Sequence, residues 1–365
     1  MNANLINENS IVSNLINIYE RFGFKKIKLS KFEDYNLYNN NKDFLQTEHI
    51  LTFMNLNGNL KSLRPDVTLS IVKKVLKDNE KETQKIYYIE DIYKIVSNEY
   101  EEIPQVGVEI IGKLNNYSNL EIISMAIESL KSINKNYILE ISNIDFISAI
   151  FDEINLEENL KIEILNNIYG KNKHDLEKLL NKNVDNKYKK YILSFIELSG
   201  NYKDILKKLK SLIINKKMQK SYEELKSLSF VFELYNNFDK ILLDFSIESQ
   251  LGYYNGIIFK GYIKESNDII LSGGRYDKLL NKFNSNKNAI GFAIYMDKLY
   301  EKNKTSDFID ILILYKSGDE NILLNEVRKF MNKNKKVRVD IYGDNSIENY
   351  YKDKYIFDKD KLIKY

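Results

Sequence analysis

Apolar positions near the start of the chain recur at helical spacing. Ile11, Leu15, Ile18, Tyr19 and Phe22 share one face, and Gly23 follows as a stop signal. This predicts an amphipathic first helix, with KKIKLSKFEDY after it as a strand entering a loop. From Leu51 to Leu63 the pattern alternates around Asn57-Gly58, a hairpin signal because both residues accept the left-handed backbone of a tight turn. A helix is predicted to begin near Pro65, with Leu69, Val72 and Val75 on one face. KIYYIEDIYKIV and QVGVEIIGK are β-branched and aromatic, and read as two strands joined by an acidic turn at Glu99 to Glu102. Asn119 to Ser132 reads as a helix, and NYILEIS as a further strand.

The character changes after Asp145. From Phe146 to about Asn237 the pattern is helical: Leu160, Ile164 and Ile168 share a face, Gly170 ends that helix, and Ser221 with Glu224 has the spacing of a capping box. With no Gly-rich loop and no cluster of reactive side chains, this block reads as an inserted helical domain. Strand character returns with KILLDFSIE, GIIFKGYI and DIILSGG, and a closing helix is predicted after Gly291. A third unit begins near Ile309 with the strand IDILILY, a helix through Phe330, and VRVDIYG, followed by a short polar tail. Strands that surround one helical block, rather than alternate with helices, predict an α+β fold with a mainly antiparallel sheet flanked by helices. The division is a core of residues 1–145 and 238–305, a helical insertion of 146–237, and a small C-terminal α/β unit of 306–365.

Composition narrows the chemistry. The absence of cysteine excludes disulfides, zinc–thiolate sites and a thiol nucleophile, and His49 and His174 alone cannot form a histidine-rich metal site. The formal net charge of +3 is too small to argue for nucleic acid, and Lys and acid are interleaved as on a solvated surface. MNANLINENS has no basic-then-apolar signal, and no apolar run approaches membrane-spanning length, so the expectation is a cytoplasmic protein without a membrane partner.

Four short segments remain: Leu63-Arg64-Pro65-Asp66-Val67-Thr68, Gln105-Val106-Gly107-Val108-Glu109, Tyr253-Tyr254-Asn255-Gly256 and Ser272-Gly273-Gly274-Arg275-Tyr276-Asp277. Singly, each has a plain structural explanation. The first fits a helix start with proline at the first helical position. The second fits a strand whose Glu109 faces solvent, the third a pair of ordinary aromatics, and the fourth a turn. In this order, and with Gly291-Phe292-Ala293 after them, the set resembles the catalytic core of class II histidyl-tRNA synthetases over residues 1 to about 300.

That resemblance implies a class II aminoacyl-tRNA synthetase-like antiparallel sheet and a pocket for free histidine. Asp66 and Thr68 with Gln105 would face the ligand's ammonium, Glu109 and Tyr254 would hydrogen-bond its imidazole, and Tyr253 would help wall the pocket. Gly107 and Gly256 would allow close backbone approach. Arg275 and Tyr276 would sit on the adjoining loop. A free amino acid needs such a set: acid for its ammonium and polar groups for its ring. Asp66 stands where the family has Glu.

The chain departs from the synthetase pattern where ATP would bind. Arginine forks suit the triphosphate, but those positions hold Lys94, Glu101, Ser249 and Lys298. A Glu facing phosphates in a partly dry site costs several kcal/mol, on the order of a thousandfold in rate. Ser30 replaces the proline of the first family motif, and the tail leaves little room for an anticodon-reading domain. The combination resembles the regulatory subunits of ATP phosphoribosyltransferase, synthetase paralogues without aminoacylation. The resemblance implies a non-catalytic, allosteric subunit of the first step of histidine biosynthesis. Such a chain dimerises, joins a short catalytic subunit in a hetero-octamer, and relays feedback by L-histidine. It needs no cofactor and reads no tRNA. A divergent histidyl-tRNA synthetase and a free-standing histidine-binding module are the alternatives, and the histidine site is either the inherited pocket or a subunit interface.

Overall fold

The computed structural model describes residues 8–45, 49–78, 82–96, 98–247, 254–264, 266, 268–300, 309–343 and 351–365. Two compact units result: Glu8–Tyr300, and a second containing the residues from Glu301 onward. Among the described residues no helix is long and apolar enough to cross a membrane.

A nine-stranded sheet organises the larger unit. Its spatial order is Lys25–Lys26, Gln84–Val96, Glu99–Gly112, Asn288–Tyr295, Leu271–Arg275, Ile257–Ile263, Tyr137–Asn143, Ile241–Asp244 and Ser199–Asn201. The six strands from Gln84–Val96 to Tyr137–Asn143 pair antiparallel throughout. The predicted α+β class is therefore what the chain adopts. The acidic residues 99–102 are not the turn, however. The hairpin runs on to Val96↔Glu99, with Asn98 at φ +67 turning it. The charges are the solvent-facing rungs of a longer ladder.

Alternation decides the sheet's two faces. The helices Glu8–Arg21 and Asn116–Ile133 cover one of them, burying Leu15, Tyr19, Ile122, Ile123 and Ala126 completely. The second helix begins at a capping box of Asn115 and Ser118. On Glu99–Gly112 the apolar side chains Val106, Val108 and Ile110 alternate with Gln105, Gly107 and Glu109, so the polar set falls on the opposite face. Over that face lies the helix Val67–Lys77. Nearby, Phe32–Asp34, Leu60–Leu63 and Thr52–Met54 form a separate three-stranded sheet, and Gly58 at φ +76 makes the predicted hairpin turn.

Six helices fill the stretch from Ile144 to Leu234, and one short strand, Ser199–Asn201, stitches this stretch to the sheet edge at Ile241–Asp244. Phe146, Phe195 and Phe245 pack at the seam, with ring centroids 5.7–6.2 Å apart. Ser221 is not a cap. The helix runs Lys216–Leu234 from Asn215, whose side chain accepts the Met218 amide at 2.9 Å, and Ser221 donates to the Lys217 carbonyl inside it. The closing helix does follow Gly291, though not directly: Gly291 lies inside the strand Asn288–Tyr295, and among the described residues the helix is Asp297–Tyr300.

The C-terminal unit holds Ile309–Tyr315, the helix Glu320–Met331 and Val337–Ile341 as predicted, but the polar tail forms two more strands. Tyr351–Asp358 pairs parallel with Ile309–Tyr315, and Lys361–Lys364 pairs antiparallel with Tyr351–Asp358. Lysines and aspartates hide the alternation of Tyr355, Phe357 and Leu362, which pack on Ile311, Ile313 and Leu323.

Candidate functional site

Between the polar face of the sheet and the helix Val67–Lys77 lies a cavity of about 600 Å³. Asp66, Thr68, Gln105, Glu109 and Tyr254 all line it, together with Tyr276. Tyr253 and Ser249 lie outside the described residues.

The LRPDVT segment divides its labour. Proline disfavours helix at the residue before it, and the helix starts at Val67 with Asp66 as its cap, so Pro65 is outside the helix rather than in its first turn. The Asp66 carboxylate accepts the Leu69 amide at 2.8 Å. Burial raises its pKa, against that hydrogen bond and the nearby Lys94 and Arg64 charges. Arg64 does not line the cavity. Fully buried, it donates to the Ser30 carbonyl at 3.0 Å, to Glu90 at 2.9 Å and twice to the Asp91 carbonyl. It is the strut that fixes where the helix begins.

Glu109 occupies the closed end and is 3% exposed. The Tyr276 hydroxyl donates to one carboxyl oxygen at 2.7 Å and the Thr68 hydroxyl to the other at 3.3 Å. Burial pushes its pKa up to about 8, and the Asp66 charge adds to this, while the Tyr276 and Thr68 hydrogen bonds oppose it. The group therefore holds a proton near neutrality, and does not face solvent. Gly291 sits opposite it on the neighbouring strand, and a methyl there would overlap the Glu109 carboxylate and the Val108 carbonyl. Gly107 plays the same part for Tyr88, whose ring would meet any added Cβ.

The other end is wetter and charged. Lys94 and Glu101 are register partners across the hairpin, and Lys298 lies 3.3 Å from Asp297. All four line the cavity. Burial lowers the Lys94 pKa, while Asp66 and Asp297 oppose the shift. From Glu109 to Glu101 the strand spans roughly 26 Å at about 3.3 Å per residue. An amino acid at the closed end does not reach that far. The cavity thus has a buried chamber around Glu109 and a vestibule of mixed charge around Glu101.

Sequence reading left out Tyr88, Tyr295 and Asp297 and gave Ser272 only as part of a turn, yet all four line the space. Tyr88 carries a signal: it faces Gly107 across the ladder, a large residue against a glycine. Tyr276, placed only on an adjoining loop, turns out to hold the buried carboxyl directly.

The histidyl-tRNA synthetase family model matches residues 3–299. Among curated relatives, the ATP phosphoribosyltransferase regulatory subunit of Alkaliphilus metalliredigens is 31% identical over 297 residues, covering 79% of this chain and 75% of its own. The same-named protein of Clostridium botulinum is 34% identical over 331 residues, covering 84% and 76%. Among solved structures, a Bacillus halodurans regulatory subunit/histidyl-tRNA synthetase superposes with a TM-score of 0.79 at 22% identity, covering 93% of this chain and 90% of that one. A histidyl-tRNA synthetase from Nostoc sp. PCC 7120 gives 0.72 at 17%, covering 93% and 83%. The chain therefore belongs to the ATP phosphoribosyltransferase regulatory subunit family, built on the histidyl-tRNA synthetase fold.

Proposed function

We propose that this chain is the non-catalytic, histidine-sensing partner of a short ATP phosphoribosyltransferase catalytic subunit in the cytoplasm. Histidine occupies the closed chamber, its imidazole against Glu109 and Tyr254 and its ammonium toward Thr68, Gln105 and the Asp66 side. The observation that carries this reading is the Glu109 carboxyl, buried, protonated near neutrality and gripped by Tyr276 and Thr68. Such an acid matches a ring that is both donor and acceptor and itself titrates near neutrality.

Adenylate formation is absent in this reading. The vestibule offers Lys94, Glu101 and Lys298 where phosphates would need arginine forks, and Ser249 supplies no cation. The chain charges no tRNA. Its effect on the partner is allosteric, so histidine binds the inhibited assembly more tightly than the active one. Self-association as a dimer within a hetero-octamer has support in an exposed aromatic pair, Phe32 and Phe53, whose ring centroids lie 5.4 Å apart on one face of the small three-stranded sheet.

The test is reconstitution with the short catalytic subunit. Phosphoribosyl transfer from phosphoribosyl pyrophosphate to ATP rises when this chain is added and falls again with histidine. Glu109→Ala abolishes the histidine effect and leaves stimulation. No complex and no stimulation refutes the reading, and histidine-dependent pyrophosphate–ATP exchange by the chain alone restores a synthetase.

A further inference from the structure

Two short segments deliver tyrosines to the closed chamber: Tyr254-Asn255-Gly256 and Arg275-Tyr276-Asp277. Neither tyrosine is fixed by a regular element of its own. One carboxylate, Asp277, lies where the two segments meet. Its Oδ2 accepts from Arg275 Nε at 2.7 Å and from Asn255 Nδ2 at 3.1 Å, and its Oδ1 accepts the Ala289 amide at 3.0 Å. Backbone bonds run alongside, Asn255 N to the Arg275 carbonyl at 2.8 Å and Tyr276 N to the Ala289 carbonyl at 2.9 Å. Gly256, at φ +68, lets the chain turn against the Arg275 stem, which a Cβ would meet at 3.4 Å. Ala289 in turn is the second residue of the strand that carries Gly291 opposite Glu109.

We propose that Asp277, which does not line the cavity, is the positioning residue of the histidine chamber, clamping the Tyr254 segment, the Tyr276 segment and the Gly291 strand into one wall. This rests on the reading of the chamber as a histidine site. Three donors from three segments converge on one side chain, and a carboxylate has the lone pairs to serve them all. Asparagine does not: wherever its amide nitrogen goes, a donor faces a donor. A helix-start role alone, for the short helix Asp277–Lys282, would need neither Asn255 nor Ala289.

The clamp is read through Glu109. That carboxyl is faced by the Tyr276 and Thr68 hydroxyls, by the Asp66 charge, and by the phenols of Tyr88 and Tyr254. Of these, Tyr276 is the group that Asp277 holds in place, and its hydrogen bond favours the ionised form. Loosening the clamp therefore raises the pH at which Glu109 ionises.

Two measurements on the full chain decide it: histidine affinity by calorimetry, and the Glu109 midpoint from the pH dependence of unfolding without ligand. Asp277→Asn weakens histidine binding at least tenfold and moves the midpoint up. Tyr276→Phe moves the midpoint up too, and adding Asp277→Asn to it moves the midpoint no further, because both act through one contact. Asn255→Ala frees only the Tyr254 side, so affinity falls while the midpoint stays. Wild-type affinity in Asp277→Asn, or midpoint shifts that add in the double variant, overturns the proposal. If Asp277→Asn does not fold, unchanged affinity in Asn255→Ala overturns it. A wild-type chain that binds no histidine while the midpoint pattern holds refutes the ligand, not the clamp.

Discussion

Replacing Glu109 by Gln keeps the volume of the side chain and removes its proton. The consequence follows from the pKa of about 8, against an ordinary value of 4.5. Between those values the folded chain keeps a proton that the unfolded chain has released, so unfolding gains from rising pH. Stability therefore declines through this window by about 1.4 kcal/mol per pH unit. The decline reaches roughly 3 kcal/mol by pH 7 and levels off above pH 8. Because Glu109 is 3% exposed, water does little to soften it. Glu109→Gln does not titrate, so its stability relative to wild type climbs from pH 5 to pH 8 and then holds.

On the proposed reading of the chamber, the same group sets the pH profile of histidine binding. Between about 6.5, where the free imidazole loses its proton, and about 8, Glu109 and ligand share one proton before and after association. Affinity is then flat. Below that range binding must release a proton and above it must take one up, so affinity falls about tenfold per pH unit on either side. Glu109→Gln keeps the acid limb, loses the alkaline limb, and weakens binding at pH 7 by roughly ten- to a hundredfold, the worth of a charge-assisted hydrogen bond. Urea unfolding and calorimetry at half-unit steps from pH 5 to 9 read both effects. A wild-type stability curve parallel to that of the variant, or an alkaline limb that survives the substitution, refutes the reasoning.

Other substitutions separate scaffold from site. Arg64→Ala leaves Glu90 and two carbonyls without their buried donor and costs about 3–5 kcal/mol in chemical denaturation. Gly291→Ala forces a methyl into the Glu109 carboxylate and costs about 1–3 kcal/mol, with histidine binding lost in whatever folds. Asp66→Asn keeps the helix cap, since asparagine caps as well as aspartate, so the melting point changes little. Its histidine affinity falls roughly tenfold, as for one lost charged hydrogen bond. The alkaline limb moves to lower pH, because the Asp66 charge helps raise Glu109.

The sheet strands and the face of each were readable because their alternation is strong and local. Glu109 and Gly291 were readable as motif members, but their relation was not: they meet only through the register Gly291↔Glu109, which no local pattern fixes. Arg64 shows the opposite difficulty. It stands in the motif beside Asp66, where nothing in the sequence says which members face the ligand, and the chain turns it toward Glu90 and away from the cavity. Ser221 failed as a cap because Asn215 outcompetes it one turn and a half upstream. The C-terminal strands were hidden because lysine and aspartate on an open face mask a period of two.

A pocket regulates only when it differs between states, and its walls are not equally free to differ. The Thr68 wall rides on a capped helix braced by the fully buried Arg64. Gln105, Glu109 and Gly291 belong to the central ladder. Tyr254 and Tyr276 come from short segments joined through the Asp277 side chain and a backbone bond from Asn255 to Arg275, and Arg275, the last residue of its strand, also acts on Glu224 of the helix Lys216–Leu234, offsetting its burial. Asn143 donates to the same Glu224 at 3.2 Å. On the proposed reading, histidine drawing the two tyrosines onto its ring pulls on a junction whose other side is the helical stretch, while the sheet beneath stays fixed. In this account the message leaves through Arg275. Arg275→Lys keeps a single donor for Asp277 and loses the fork, so histidine still binds the reconstituted complex but inhibits phosphoribosyl transfer several-fold less. Equal binding with equal inhibition would place the route elsewhere.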